Sequence, residues 1–166
     1  MRSRKTPDAH EFIFRCHSIR HKLRDCPLST NASKKNVELL RRFYEYFNQR
    51  DLDAVLELCA SDVEVYKDPD VVEMVAAFTP RGQERVAQYL RGWLDSWDDY
   101  HARPEELLQS GDEVAVLIRL HARGKGSQFD IEADMADVFS VRDGKIVRLR
   151  LYVQRQTALK AIGDEV

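Results

Sequence analysis

Apolar residues in the first half of the chain recur at steps of three and four, which is the period of an amphipathic helix. One such stripe predicts a helix of about four turns beginning near Asn36. Asp51 follows, and its carboxylate can accept the free backbone N–H groups of a second, shorter helix. A third helix is predicted beyond Gly82. The three stripes are Leu39, Leu40, Phe43, Tyr44 and Phe47; Leu52, Val55, Leu56 and Cys59; and Val86, Tyr89, Leu90, Trp93, Leu94 and Trp97.

From Tyr100 the apolar period changes to two, which is typical of β-strands. Turn-forming sequences at residues 110–112, 124–127 and 143–144 separate four predicted antiparallel strands, at about 100–109, 113–123, 129–142 and 145–154. A shorter strand is predicted at 63–66. It cannot continue past Asp68, because the proline that follows restricts the backbone of that residue. A last short helix is predicted at 157–162.

Helices that precede a meander of strands predict an α+β fold with the helices on one face of the sheet. Long strands in a small domain must twist and curl. We therefore expect a cone-shaped, curled antiparallel sheet of about four long strands plus a short one, wrapped around three N-terminal helices, with a short C-terminal helix closing one end. Such a sheet leaves a conical interior that can enclose a small, largely apolar molecule.

The charge distribution marks a boundary near the N-terminus. Residues 1–35 carry nine Lys and Arg against three Asp and Glu, whereas the remainder carries 17 against 25. This asymmetry divides the chain into a basic, loosely ordered extension at 1–34 and an α+β domain at 35–166. The extension has no continuous apolar region of the kind found in secretory signals, so we expect no export.

The number of cysteines and the length of the apolar runs indicate where in the cell the protein is expected and which partners are not expected. An odd number of cysteines, three, does not make a disulfide framework and favours the cytoplasm. Cys16, His17, His21 and Cys26 lie in the extension, but their spacing matches no usual zinc pattern, so no metal is predicted. The longest apolar runs have five residues, whereas a membrane span needs about 20. Neither a membrane nor nucleic acid is an expected partner.

Asp137 is the most informative residue of the sequence. Strict alternation in its strand places it on the same face as Met135 and Phe139, which is otherwise apolar. A buried carboxyl group without a partner becomes neutral through a raised pKa, and a neutral carboxyl can donate a hydrogen bond to a developing oxyanion. Two structural alternatives stay open: Asp137 pairs with Arg148 or Arg150 of the neighbouring strand, or it faces water at a bulge.

Asp68 lies where the short strand ends and a loop begins, a place where catalytic groups are commonly held. The alternative is a turn aspartate that hydrogen-bonds to its own backbone. Two carboxyl groups in different surroundings can divide acid and base work between them. Aromatic and apolar residues can line the cavity or simply form core. The predicted lining set is Phe43, Tyr44, Phe47, Tyr66, Trp93, Trp97, Met135, Phe139 and Tyr152.

Motifs of other enzyme classes are missing from the sequence. It has no Ser, Cys or Lys nucleophile signature, no Gly-rich phosphate loop and no strongly spaced metal cluster. Phosphoryl transfer and nucleotide chemistry are therefore disfavoured, and no cofactor is predicted.

Six short motifs follow one another along the domain: FYEYFN at 43–48, DLD at 51–53, DVEV at 62–65, DP at 68–69, RG at 81–82 and DGKIV at 143–147. In this order and spacing they resemble a SnoaL-like domain, over residues 36–163. This is the polyketide-cyclase-like branch of the nuclear transport factor 2-like superfamily, which also holds ketosteroid isomerase. The resemblance implies a cone-shaped α+β fold, a pocket between sheet and helices, and frequent homodimerisation through the outer face of the sheet.

Carried over residue by residue, the resemblance places Asp68 at or within one residue of the isomerase's proton-shuttling aspartate. It places Asp137 on the isomerase's oxyanion-stabilising aspartic acid, a group kept neutral by its apolar surroundings. The isomerase's oxyanion tyrosine falls on Phe43, with Tyr44 beside it, and the acidic residue of cyclase members falls on Gln154.

The leading hypothesis is a cofactor-independent isomerase, cyclase or dehydratase acting on a small carbonyl compound. Asp68 would be its general base and Asp137 its neutral oxyanion donor. The alternative is a non-catalytic, dimeric ligand-binding or association module of the same fold. In both cases the expected partners are a small apolar or carbonyl-containing ligand and a second copy of the chain.

Overall fold

The structure, a computed structural model, describes residues 30–67 and 79–163, with the side chains of 30–33 left out. The first helix, α1, spans Thr30–Asn48 and therefore begins before residue 35, where the domain was expected to start. Most of the predicted extension, including Cys16, His17, His21 and Cys26, lies outside the described residues, so the division of the chain stays a prediction.

Three helices pack against the inner face of the sheet: α1, α2 (Leu52–Glu57) and α3 (Gln83–Asp95). The carboxylate of Asp51 caps α2 by accepting a hydrogen bond from the Ala54 N–H at 3.1 Å, as the sequence predicted. Cys59 and Trp97, predicted on helices, instead begin strands. The helices end earlier because Cys59 pairs with Ile146 and Trp97 with Gly124 in the sheet.

Five strands form a curled, unclosed sheet in the order β1-β5-β4-β3-β2. They are β1 (Cys59–Lys67), β2 (Trp97–Ser110), β3 (Glu113–Gly124), β4 (Asp130–Arg142) and β5 (Lys145–Tyr152). Strands β2 to β5 are an antiparallel meander, as predicted, whereas β1 runs parallel to β5, so the sheet is mixed. The α+β class and the curled sheet are confirmed.

Each face of the sheet carries a buried apolar cluster. Its inner face forms the main core with α1 to α3. The last helix, α4 (Arg155–Gly163), lies on the outer face instead of closing one end of the cone, and buries Ala158, Leu159 and Ile162 there. It covers what we call the outer apolar patch: Ala115, Leu117, Ala136 and Val138. No helix of the described part is long and apolar enough to cross a membrane.

A tight turn and a register shift next to it together position Asp137. Asp143 and Gly144, between β4 and β5, both have positive φ, 52° and 72°. Two successive left-handed residues match the right-handed twist of a hairpin, and Asn, Asp and Gly adopt them most readily. The turn pairs Val141 with Ile146, and a register shift between Ser140 and Val141 then moves the pairing by one residue, so that Asp137 lies opposite Leu151 of β5; on its other side it lies opposite Val116 of β3.

Candidate functional site

An apolar cavity lies between the inner face of the sheet and helices α1 and α3. Its empty volume is about 700 Å³ with its mouth included, of which the centre of a water-sized molecule can occupy about 70 Å³. One water needs roughly 10–15 Å³ of such space, so the cavity admits several waters or one compact organic molecule. It is lined by Phe43, Tyr44, Phe47, Lys67, Tyr89, Leu90, Trp93, Tyr100, Ile118, Met135, Asp137, Leu149 and Leu151.

Asp137 and Tyr44 form a hydrogen-bonded pair in this cavity. The Tyr44 hydroxyl donates to Oδ2 of Asp137 at 2.5 Å, and the two residues are 3% and 7% exposed. Among the described residues, Asp137 is the only charged residue that is buried. Burial raises the pKa of Asp137 to about 7, although the hydrogen bond from Tyr44 opposes the rise. Near neutral pH the carboxyl group can therefore either donate or accept a proton.

The two arginines that were the alternative partners of Asp137 lie on the other face of the sheet. Arg148 is 3.7 Å from Glu64, and Arg150 pairs with Glu113. Successive residues of a strand point to opposite faces, and Asp137 has the parity of the inner face. Asp137 thus lies in an apolar cavity with a phenol as its partner.

Three phenols surround the carboxyl group. Burial is the first cause that raises the pKa of Tyr44, Tyr89 and Tyr100, and the negative charge of Asp137 raises each further. The pKa of Tyr89 reaches about 12. All three hydroxyls therefore stay protonated at neutral pH; that of Tyr44 donates to Asp137, whereas those of Tyr89 and Tyr100 can donate hydrogen bonds to a ligand.

Six residues of the predicted site are brought together around the cavity. They are Phe43, Tyr44, Phe47, Trp93, Met135 and Asp137. Asp68, the proposed base, lies outside the described residues. It directly follows Lys67, whose side chain does line the cavity.

Four residues predicted to line the cavity lie elsewhere. Phe139 is fully buried behind the lining and packs edge-to-face on Phe43, with ring centroids 5.0 Å apart. Trp97 begins β2 and packs against Trp93. Tyr66 and Tyr152 point to the outer face, because each neighbours an inward residue on its strand, Tyr66 beside Lys67 and Tyr152 beside Leu151.

Lys67, Tyr89 and Tyr100 are polar lining residues that the sequence-based prediction missed. Lys67 continues the inward alternation of Val63 and Val65, which the predicted end of the strand at Tyr66 cut short. Tyr89 lies on the predicted apolar stripe of α3 but was not included in the predicted lining set. Tyr100 could be placed in the cavity only with the register of β2, in which it lies opposite Ala122.

No group of three or more His, Cys, Asp or Glu side chains within 30–67 and 79–163 is placed to hold a metal ion. The polar groups of the cavity are instead a carboxyl, an amine and three phenols. Such groups can donate, accept and orient hydrogen bonds to an organic ligand.

Solved structures with the same architecture define the class of fold. An NTF2-like protein of unknown function from Burkholderia pseudomallei matches with a TM-score of 0.65 and 21% identity, over 77% of this chain and 97% of its own. TerC, co-crystallised with polyporic acid, gives 0.63 and 20%, over 78% and 98%. A putative SnoaL-like polyketide cyclase from Jannaschia sp. CCS1 gives 0.63 and 16%, over 78% and 92%. The fold is therefore NTF2-like.

The family follows from the sequence itself. The model of the SnoaL-like domain matches residues 40–149, which is more than half of the chain. The protein belongs to the SnoaL-like domain family. No curated protein matches its sequence significantly.

Proposed function

We propose that the protein binds a small carbonyl compound in this cavity and converts it by carboxylate acid/base chemistry, as a cofactor-independent isomerase, cyclase or dehydratase. The observation that carries the proposal is the buried hydrogen bond between Tyr44 and Asp137, at 2.5 Å, in a cavity lined mostly by apolar groups. Buried polar groups at one end of an apolar pocket are typical of small-molecule sites.

Asp137 would supply the acid. When it is neutral, one of its oxygens accepts the hydrogen bond from Tyr44, and its own proton is available to the carbonyl oxygen of the ligand. As negative charge develops on that oxygen, the proton of Asp137 moves towards it. The Tyr44 hydroxyl then stabilises the carboxylate that is left. Such fixed donors act strongly in a site with little water, because they need no reorganisation.

Asp68 would supply the base. It would remove a proton from the carbon next to the carbonyl, while Asp137 stabilises the resulting enolate oxygen. The proposal for Asp68 is supported by the family resemblance, which places it at or within one residue of the proton-shuttling aspartate of the isomerase.

Two of the similar structures support a small organic ligand. One is a putative SnoaL-like polyketide cyclase, and TerC was co-crystallised with polyporic acid. A polyketide-like or quinone-like carbonyl compound is therefore a sensible first choice in a ligand screen.

A two-stage experiment tests this proposal. Ketones are first screened by thermal shift, since a ligand that binds only the folded protein raises its stability. Exchange of α-protons in D₂O is then followed by NMR, for example at the acetyl group of methyl 4-acetylbenzoate. We expect Asp68→Asn to abolish exchange and Asp137→Asn, which keeps a donor, to retain much of it. Full exchange in Asp68→Asn would remove the proposed base.

A second candidate is a ligand-binding or association module without catalysis. The aromatic lining favours it, because Phe43, Phe47 and Trp93 provide contact area that needs no proton transfer. Here the wild type would bind a ketone without exchanging its α-protons, and both aspartate variants would bind as the parent does.

A homodimer through the outer face of the sheet is a further proposal from the family resemblance. In this chain α4 already covers the outer apolar patch. A partner would instead meet the charged rows beside it, where Arg119 lies 2.9 Å from Asp134 and Arg123 lies 3.7 Å from Asp130. Light scattering after gel filtration tests this arrangement, and a monomer at high protein concentration would contradict it.

A further inference from the structure

Lys67 is the one cationic side chain that lines the cavity within the described part of the chain. It is the last residue of β1, where Val63 and Val65 are buried towards the inner core. Residues two apart on a strand share a face, so the Lys67 side chain points the same way. The strand therefore directs this side chain towards the cavity.

An aromatic ring from α3 holds the amine in place. Nζ of Lys67 lies 4.6 Å from the centroid of the Tyr89 ring, within the range of a cation–π contact. Among the described residues no carboxylate forms an ion pair with Lys67, whereas Arg81 and Arg148 nearby both pair with Glu64. Burial lowers the pKa of Lys67, which shows that the amine is partly withdrawn from water. Within residues 30–67 and 79–163 the partner of the amine is therefore an aromatic ring and not a carboxylate, and the amine lines the cavity.

Lys67 and Asp137 stand on opposite sides of one residue. Leu151 of β5 pairs with Lys67 on one side and with Asp137 on the other, and all three line the cavity. Neighbouring strands are about 4.8 Å apart, so the two Cα atoms are separated by roughly 10 Å. The cavity therefore has two different polar groups on its sheet side, an acid with its phenol and an amine, and Leu151 lies between them.

We propose that Lys67 is a specificity-determining residue, which makes the cavity select carbonyl compounds that carry a second, anionic oxygen group such as a carboxylate or an enolate. The proposal rests on the proposed function, because the carbonyl is taken to bind at Asp137. The anionic group of the ligand hydrogen-bonds to the Lys67 amine. It takes the place of the water that partial burial removes from the amine. A charge-assisted hydrogen bond of this kind changes affinity by about tenfold or more.

Two probes that differ in a single charge test this inference. 4-Acetylbenzoate carries a ketone and a carboxylate across one ring, and methyl 4-acetylbenzoate carries the same ketone and no charge. Their dissociation constants are measured by calorimetry at pH 6, where Asp137 is mostly neutral because its pKa is about 7. We expect the wild type to bind the acid about tenfold more tightly than the ester.

Substitution of the amine then assigns the preference to one residue. Lys67→Met is expected to bind the acid and the ester with equal affinity. Lys67→Gln serves the same purpose if the Met variant unfolds. The matched control is Lys160→Met, which removes the same charge from an exposed position on α4 and should keep the tenfold preference.

The outcomes separate this inference from the proposed function. If the ester binds but the acid binds no more tightly, or if Lys67→Met keeps the preference, the role of Lys67 is overturned and the ketone site stands. If neither probe binds and no ketone of the thermal-shift screen does, the proposed function fails, and the inference fails with it.

Discussion

The Tyr44 hydroxyl and the Asp137 carboxyl meet at 2.5 Å, although 93 residues separate them in the chain. One comes from the first helix and the other from the fourth strand, so the pair exists only when α1 lies against the inner face of the sheet. The pKa of Asp137 near 7 is the balance between burial, which raises it, and this hydrogen bond, which lowers it. A substitution that removes either cause should therefore change the pKa of Asp137.

Tyr44→Phe should raise the pKa of Asp137 further. The substitution keeps the ring and removes the donor that stabilises the carboxylate, so only the effect of burial remains. The pKa is measured by NMR titration of the Asp137 carboxyl carbon, with Tyr46→Phe on the same helix as control. A pKa that stays the same or falls in Tyr44→Phe would contradict the proposed balance.

The stability of the protein should depend on pH through Asp137. Its pKa is about 7 when folded and close to 3.8 when unfolded, so between these values the folded state binds the extra proton. Stability then falls as pH rises from about 4 to about 7, by up to about 4 kcal/mol, and the contribution of this group is constant above that range. Urea unfolding at several pH values measures the effect.

Asp137→Asn is the reference for that titration, because it has nearly the same shape and does not ionise in this range. The difference in unfolding free energy between wild type and variant should shrink or reverse in favour of the variant as pH rises from 4 to 7. Parallel curves for the two proteins would show that Asp137 does not change its proton affinity on folding.

Arg155 should contribute to stability by holding the sheet behind the cavity. From the start of α4 it donates to the backbone carbonyls of Ile118 at 2.7 Å and Met135 at 3.2 Å, and to Glu105 at 2.8 Å. Arg155→Met leaves these acceptors without their donor, and we expect a loss of roughly 2 kcal/mol in unfolding free energy. Denaturant titration measures it.

Arg103→Met is the control for Arg155. Its side chain is 66% exposed and lies 3.4 Å from the same Glu105. Exposed pairs of this kind contribute little, so we expect a change within about 0.5 kcal/mol. Equal losses of unfolding free energy in the two variants would mean that the contacts of Arg155 with the sheet stabilise the protein no more than an exposed ion pair does.

Cys59 should resist alkylation in the folded protein. It is buried at the start of β1, and burial raises the pKa of its thiol to about 12, so very little thiolate exists at pH 8. Iodoacetamide labelling followed by peptide mass mapping compares the native protein with protein in guanidinium chloride. Rapid labelling of Cys59 under native conditions would contradict its burial.

Local sequence determined much of the scaffold. The helical stripes, the Asp51 cap and the three turns predicted the order of helices and strands, because periodicity and turn chemistry act within a few residues. Alternation alone also placed Asp137 on the inner face of its strand. The errors at Cys59 and Trp97 have one cause: an apolar residue continues a helical stripe and begins a buried strand equally well.

Tertiary structure decided the partners of these residues. A stripe shows that Tyr44 is buried, but only the packing of α1 on β4 places its hydroxyl against Asp137. Likewise, only the parallel pairing of β1 with β5 sets Lys67 and Asp137 on either side of Leu151. Periodicity fixes the face that is buried, whereas contacts between distant segments depend on strand register and helix docking. The sequence therefore determined the acid, and the fold determined the phenol and the amine that surround it.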